Sequence, residues 1–279
     1  MNFPQAVPVF LLAFVCEFID STLGMGYGTT LTPVLLLMGF SPVQIVPAVL
    51  LSELVTGAMA AFMHHRAGNA FFDFRNTPEH RIVKKMGALG YIPRSPDARI
   101  AWVLGVSSIV GAVGAAFLAV SIPAFHLKLF IGLIVTAMGV LILARRGSIP
   151  RFSWKRITGL GVVAAFNKGL SGGGYGPLVT SGQILSGVAT KSAVAITSMA
   201  ESFTCLVAVL AYLVTGVEID WGAAPALTLG AVCSVPLSAI AVKHMKLRGF
   251  TLIVGAATLI LGLFTLYSCS RGTLRTSAF

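Results

Sequence analysis

The chain has 279 residues, 56% of them hydrophobic and 10% charged, and a formal net charge of +11. A soluble domain carries about 25% charged residues, so too few polar groups are present here to clothe a water-facing surface. The basic residues lie in loops between apolar runs rather than on an aromatic-interleaved face, which excludes a nucleic-acid-binding module.

Membrane strands would read as roughly ten-residue segments of alternating polarity. No such pattern is present, and the sequence predicts an all-α polytopic membrane protein with 8–10 membrane segments. The N-terminus, Met1-Asn2-Phe3-Pro4, has no Lys or Arg before its apolar run. The charged region of a cleavable signal is therefore missing, and the segment is expected to belong to the mature protein. The first run, 7–19, is short, and a glycine string, Gly24-Met25-Gly26-Tyr27-Gly28, follows it. From Gly28 to the turn at Ser41-Pro42 only about a dozen apolar residues remain, which at ~1.5 Å per residue cover ~18 Å of a ~30 Å hydrocarbon core. This piece cannot cross the membrane.

A helix over about 43–63 comes next, with Glu53 near its middle and His64 and His65 at its end, where they read as interfacial. The loop at 65–99 contains Arg66, Arg75, Arg81, Lys84, Lys85, Arg94 and Arg99 and is expected to be cytoplasmic. It also holds Phe71, Phe72 and Phe74, but it is too short for a core of its own. It reads as an amphipathic segment on the inner leaflet, drawn to anionic lipid. Runs near 100–121 and 129–144, joined by an external turn near 121–127, lead to a second inside cluster, Arg145, Arg146, Arg151, Lys155 and Arg156.

The second half opens on another short run at 157–166, followed by a second glycine string and about a dozen residues between Gly176 and Gly187. A helix over about 190–213 carries Glu201 near its middle. An external acidic turn with Glu218 and Asp220 and runs near 222–242 and 249–268 complete the chain, with Lys243, Lys246 and Arg248 marking a third inside loop. This arrangement leaves both termini outside, against the charge of Arg271 and Arg275. The cysteines Cys16, Cys205, Cys233 and Cys269 have neither metal nor disulfide spacing and are expected to pack in the core.

Residues 18–68 align without gaps on 166–216 at a constant offset of 148. Gly24, Gly26, Tyr27 and Gly28 meet Gly172, Gly174, Tyr175 and Gly176, while Thr32, Gly39, Glu53, Thr56 and Gly68 meet Thr180, Gly187, Glu201, Thr204 and Gly216. The domains are accordingly read as two transmembrane repeats, 1–146 and 147–279. The helix ending at His64 runs inward and its partner ending near Thr215 outward, so the repeats are inverted. Each is expected to hold a Gly-broken helix or re-entrant hairpin plus about three full spans.

Irregular backbone at membrane depth is tolerated only where protein or a water-filled cavity satisfies it, so the two breaks mark a site. Helices starting after Gly28 and at Pro177 present free N–H groups and positive dipole ends at the bilayer centre, which favour an anion. Gly24, Gly26, Gly28, Gly172, Gly173, Gly174 and Gly176 admit a ligand close to the backbone, and Pro177 suits a first helical turn. Lys168 is the best side chain for anion contact, with Asn167, Ser171, Thr29, Thr32 and Thr180 offering neutral hydrogen bonds. Asp20 occupies the position equivalent to Lys168, which suggests a midplane ion pair or a cation with its counter-charge. Charged side chains at this depth cost at least ~2.5–3.5 kcal/mol. The symmetry-related Glu53 and Glu201, together with Asp20, are therefore candidates for proton coupling, against the plainer reading of structural hydrogen bonds. Catalytic, metal-binding and cofactor-binding residues are not predicted.

The duplicated glycine motif, the proline behind each copy (Pro33; Pro177) and the number of spans resemble the TauE/SafE family of sulfite and organosulfonate exporters over essentially the whole chain. The second copy, Ser171-Gly172-Gly173-Gly174-Tyr175-Gly176-Pro177, is nearer to the family pattern of Gly-x-Gly-Gly-Gly than the first, which departs at Met25 and Tyr27. The resemblance implies transport of sulfite, a sulfonate or a related small anion across a bacterial plasma membrane. A passive anion channel is the first alternative. An intramembrane enzyme is the weaker one: Ser171 lacks a rhomboid-type setting, Asp20 has no aspartate partner, and no clustered Arg/Ser or Arg/His phosphatase site is present.

Overall fold

The computed structural model describes residues 3–40, 42–118, 124–144, 152–171, 175–214 and 219–276. These residues form eleven α-helices: α1 (Phe3–Leu23), α2 (Tyr27–Leu37), α3 (Pro42–Ala67), α4 (Arg81–Met86), α5 (Pro96–Leu118), α6 (Ala124–Ala144), α7 (Trp154–Ser171), α8 (Tyr175–Leu185), α9 (Thr190–Val214), α10 (Ala224–His244) and α11 (Leu247–Thr276). The one β contact among the described residues is an isolated bridge between Asn76 and Pro93. Five helices hold a stretch long and apolar enough to cross a bilayer, Ala6–Leu23, Ile45–Ala67, Thr190–Val214, Ala224–His244 and Leu247–Tyr267, and Gly132–Ala144 is a shorter apolar stretch. The all-α membrane architecture read from composition is the observed one. Of the turn expected near 121–127, residues 121–123 lie outside the described residues and Ala124 already begins α6; Glu218 of the acidic turn also lies outside them.

Helix ends follow local chemistry. Proline, whose missing N–H is not needed in a first turn, opens α3 at Pro42 and α5 at Pro96. Gly39, Gly68 and Gly187, with φ of 93°, 78° and 93°, take the left-handed turn just past α2, α3 and α8, where a side chain would be strained. Asp220 Oδ1 accepts the backbone N–H groups of Gly222 at 2.9 Å and Ala223 at 3.0 Å ahead of α10.

The first broken segment differs from its expected form. Its leading helix does not stop near residue 19 but runs 21 residues to Leu23, which at ~1.5 Å per residue is ~31 Å. The helix continues because its late polar groups find partners inside the protein: Glu17 accepts from Thr56 Oγ1 at 3.1 Å, and the Ser21 carbonyl bonds His64 Nε2 at 2.9 Å. A full-length arm is thus joined, through Gly24 at φ 72° and Gly26 at φ 132°, to an eleven-residue helix too short to cross. α7 likewise runs 18 residues, longer than the sequence suggests. Its join to α8 through Gly172, Gly173 and Gly174 lies outside the described residues.

The offset of 148 reappears in the helix bounds, since Tyr27–Leu37 maps onto Tyr175–Leu185 at both ends and Pro42 onto Thr190 at the start. The principal helix contacts join α1 to α10, α5 to α7, α3 to α9 and α6 to α11, so helices from the two halves interleave. Small residues make these approaches possible, as they do between membrane helices generally. A Cβ on Gly57 would stand 2.7 Å from the Ser198 carbonyl, and one on Gly139 2.6 Å from the Leu259 backbone nitrogen. α3 and α9 run antiparallel: Gly57 lies against Ser198, Leu54 accepts from Ser202 Oγ at 2.9 Å, and Leu50 packs with Cys205 and Val209. α6 and α11 are also antiparallel, with Gly132 against Leu266 and Gly139 against Leu259. Large apolar side chains such as Leu11, Val110, Leu210 and Ile260 are left exposed, as a lipid-facing surface requires. Cys16 and Cys205 are buried as expected, but Cys233 is exposed on α10, where the surrounding lipid replaces a protein core.

At one end of the bundle Ser192, near the start of α9, reaches the Asn69 carbonyl just past α3 at 3.5 Å, and Lys191 Nζ donates to the Lys243 carbonyl at 2.7 Å. The basic 65–99 loop lies at this end. Within it, Ile82, Met86 and Leu89 are exposed beside Lys84 and Lys85, the composition of a surface in contact with a leaflet. A cysteine placed at Trp221 in a cysteine-free background is expected to react with an impermeant maleimide from outside, and one at Glu79 only after permeabilisation. Labelling of both from one side contradicts this orientation. Gly57→Ala, which presses a methyl onto the Ser198 carbonyl, is expected to lower stability by about 1–3 kcal/mol, read as a lower thermal midpoint in detergent.

Candidate functional site

Lys168 is the only Lys or Arg buried among the described residues, at 3% exposure. It sits in the last turn of α7, and its Nζ donates to Glu53 Oε2 on α3 at 2.9 Å and to Glu201 Oε1 on α9 at 2.5 Å. The two glutamates are equivalent under the repeat offset. The antiparallel α3–α9 contact at Leu54 and Ser202 brings them side by side, so one ammonium is gripped by one carboxylate from each half. An isolated charge here would be prohibitive; a pair with good hydrogen bonds is tolerated. Cys205 Sγ lies 3.4 Å from the same Glu53 Oε2, and the Tyr175 ring centroid is 5.9 Å from Nζ.

Two further carboxyl groups lie on α1. Glu17, which the sequence left without a role, is buried and accepts from Thr56 Oγ1, whose hydroxyl also donates to the Ser52 carbonyl at 3.0 Å. Asp20 Oδ1 accepts the Tyr27 N–H at 3.0 Å and so caps α2. The sequence suggests Asp20 as an ion-pair partner for Lys168. In the structure Lys168 pairs with Glu53 and Glu201, because the α2 N-terminus holds Asp20 and the two glutamates meet across the α3–α9 contact.

The half-helix N-termini meet beside this cluster. A Cβ on Gly176 would lie 2.5 Å from the Gly24 carbonyl oxygen and 2.7 Å from Met25 Cα, so only glycine allows this approach. Thr180 Oγ1 lies 2.8 Å from both the Gly24 carbonyl and Thr197 Oγ1. Thr29 Oγ1 is engaged with the Gly26 carbonyl at 3.1 Å. Gly28 and Thr32 are half-buried on α2, Pro177 is buried in the first turn of α8, and Asn167 is buried and bonded beside Lys168. The Ser171 side chain and Gly172, Gly173 and Gly174 lie outside the described residues.

The sequence reads His64 as interfacial, and the structure corrects this, because hydrogen bonds to Ser21 and Asn69 hold its ring inside the protein. It is fully buried, its Nε2 on the Ser21 carbonyl and its Nδ1 3.0 Å from Asn69 Nδ2, while Asn69 also donates to the Ala239 carbonyl at 2.8 Å. A carbonyl on one ring nitrogen and an amide donor on the other fix the neutral Nε2–H tautomer. The result ties the ends of α1, α3 and α10 together. A cleft of about 290 Å³ opens between Pro96, Asp97, Arg99, Trp154, Val188 and Ser192. Trp154 begins α7 fourteen residues before Lys168, ~21 Å along the helix, so the cleft sits at the helix ends and is not the charged site.

Removing one member of a buried pair strands the others at about 3–5 kcal/mol. Lys168→Met is therefore expected to lower the thermal midpoint sharply, and addition of Glu53→Gln and Glu201→Gln to restore most of it. An unchanged midpoint in Lys168→Met would mean that the three groups are not paired in the protein.

The profile of the sulfite exporter TauE/SafE family matches residues 9–76 and 82–265. A probable membrane transporter protein of Bacillus subtilis (strain 168), YtnM, is 27% identical over 271 residues, covering 89% of this chain and 81% of that protein.

Proposed function

The chain belongs to the sulfite exporter TauE/SafE family as a multi-pass membrane protein, and from that premise we propose that it is a proton-coupled secondary transporter of a small oxyanion. The substrate class is that of sulfite, a sulfonate or a related anion, and the relative's designation as a probable membrane transporter agrees with the transport reading. One observation carries the mechanism: a single buried ammonium held by two carboxylates, one from each half.

With both carboxyl groups ionised, that arrangement has one negative charge in excess. Lys168 meets Glu53 on α3, Glu201 on α9 and the Tyr175 ring on α8, Cys205 of α9 lies against Glu53, and α1 adds Glu17 and Asp20, which interact electrostatically with both glutamates. An incoming anion is accepted beside Lys168 only as a glutamate takes up a proton and gives way to it. Substrate and proton then bind together, and the antiparallel α3–α9 contact transmits the change of partner to both halves. The anion's contacts are weighted to Lys168, Asn167, Ser171, Gly172, Gly173, Gly174, Gly176, Pro177 and Thr180, where the start of α8 adds a positive helix end. Gly24, Gly26, Gly28, Thr29 and Thr32 form the facing wall. In this reading the repeats 1–146 and 147–279 are inverted across the membrane and expose the site alternately to its two sides.

Among sulfite, sulfonates, thiosulfate, carboxylates and halides, oxyanions are expected to raise the thermal midpoint of the purified protein. Stabilisation by cations or neutral solutes alone overturns the anion assignment. Lys168→Ala is expected to weaken oxyanion binding roughly 10- to 150-fold, the value of a charged hydrogen bond of about 1.5–3 kcal/mol. Glu201→Gln keeps the shape without the titration. Reconstituted Glu201→Gln protein should carry substrate with a flattened response to a pH gradient, whereas parent flux that ignores the gradient contradicts coupling.

A further inference from the structure

Glu53 and Glu201 are equivalent under the offset of 148, but the helix seams that lead to them are not alike. In the first half, Leu35 of α2 and Ile45 and Val49 of α3 are fully buried in one apolar cluster, with Ile45 and Val49 about two turns and one turn ahead of Glu53. Their equivalents in the second half are Gln183 of α8 and Ala193 and Thr197 of α9, at the same spacing ahead of Glu201.

This second seam is polar. Gln183 Nε2 donates to Thr197 Oγ1 at 2.8 Å and to the Ala193 carbonyl at 3.3 Å, and Thr180 Oγ1 lies 2.8 Å from Thr197 Oγ1. A carbonyl can only accept, so the Ala193 contact fixes which way the Gln183 amide faces and leaves its Oε1 with no donor. Three residues on, in the turn that ends α8, Ser186 also has an unpaired hydroxyl. Both residues are buried, and a buried polar atom without a partner in the fold is a place for water or a ligand. Gly187, Val188 and Ala189, immediately past Ser186, line the cleft of about 290 Å³, which opens at the end that carries the basic 65–99 loop. From that end α9 passes Thr190, Ala193 and Thr197 and reaches Glu201 one turn later, ~17 Å from its first residue.

We propose that the α8–α9 seam is the hydrated path by which a proton passes from the cytoplasm to Glu201, with the cleft as its mouth, while the apolar α2–α3 seam denies Glu53 an equivalent path from outside. The inference rests on the proton-coupled reading given above and divides the two glutamates within it: Glu201 exchanges its proton with the cytoplasm, and Glu53 stays as the partner of Lys168. The step is a proton transfer alone. A water at the head of the seam gives a proton to a Glu201 carboxylate oxygen and is reprotonated along the seam from bulk water. Glu201 faces Lys168 of α7, Glu53 of α3, Glu17 and Asp20 of α1, Tyr175 of α8 and Cys205 of its own helix. The other charged or titratable groups that α3, α5 and α11 bring to α9, His64, Asp97, Arg99 and Arg248, lie toward its start.

The test uses the full chain in proteoliposomes of known orientation. Gln183→Leu and Thr197→Val, which give the seam the apolar character of the first half, should bind sulfite as the parent does and lose the response of flux to cytoplasmic pH. Gln183→Ser, polar and small enough to leave room for water, should keep that response. A pH response that survives in Gln183→Leu and Thr197→Val overturns the proposal, as does its loss in Gln183→Ser, which would make the amide a packing element only. Access is read separately, without transport. In a cysteine-free background, Ser186→Cys should react with 2-sulfonatoethyl methanethiosulfonate from the cytoplasmic face and not from outside, and Leu35→Cys should stay unlabelled from either face. Labelling of Leu35→Cys, or none of Ser186→Cys, overturns the path even where a seam variant fails to fold. A parent whose flux ignores pH counts against coupling, and the labelling then decides the path by itself.

Discussion

The structure depends on the burial of one ammonium. Lys168 is held at hydrogen-bond distance by Glu53 and Glu201, and no other Lys or Arg among the described residues is buried. A charge in that place requires partners on more than one side, and those partners come from the central helices of both halves. The α3–α9 contact, the only one of the four main helix pairings that joins two equivalent glutamate-bearing helices, is thereby fixed in register: Leu54 opposite Ser202, Gly57 against Ser198. Any slip along this seam would separate a glutamate from the lysine.

Around the seam, packing gives what charge alone does not. Glycines at α3–α9, α6–α11 and α5–α7 let backbones approach to distances that a methyl group would prevent, and the outer faces are left to lipid. Glu17, Asp20 and Ser21 of α1 each find a partner on another element, which is why that helix extends beyond its apolar run. Interleaving joins α1 to α10 and α7 to α5, so a displacement of either half must be carried through contacts with the other.

Much of this is legible in the sequence. The gapless offset of 148 anticipates the matching bounds of α2 and α8 to the residue, because the glycines that set the left-handed turns are themselves repeated. Glu53, Glu201 and Lys168 stand out one by one as charges within apolar runs. Their mutual contact does not, since pairing is set by how α7 packs against α3 and α9, and symmetry points instead to Asp20 as the partner of Lys168. The full length of α1 is hidden for a related reason: hydropathy ends the helix where polar residues begin, whereas tertiary hydrogen bonds carry it on. His64 is obscured by its neighbour His65 and its place beside a basic loop, and only the approach of Ser21 and Asn69 distinguishes it.

The central claim is that an oxyanion reaches Lys168 only as a glutamate accepts a proton in its place. Calorimetric titration of sulfite into the purified protein, repeated at one pH in buffers of different ionisation enthalpy, measures that linkage directly. Uptake of about one proton per anion bound, abolished when both Glu53 and Glu201 are replaced by Gln, is the predicted result. Sulfite binding with no dependence on the buffer, or proton uptake that survives the double replacement, would contradict the account.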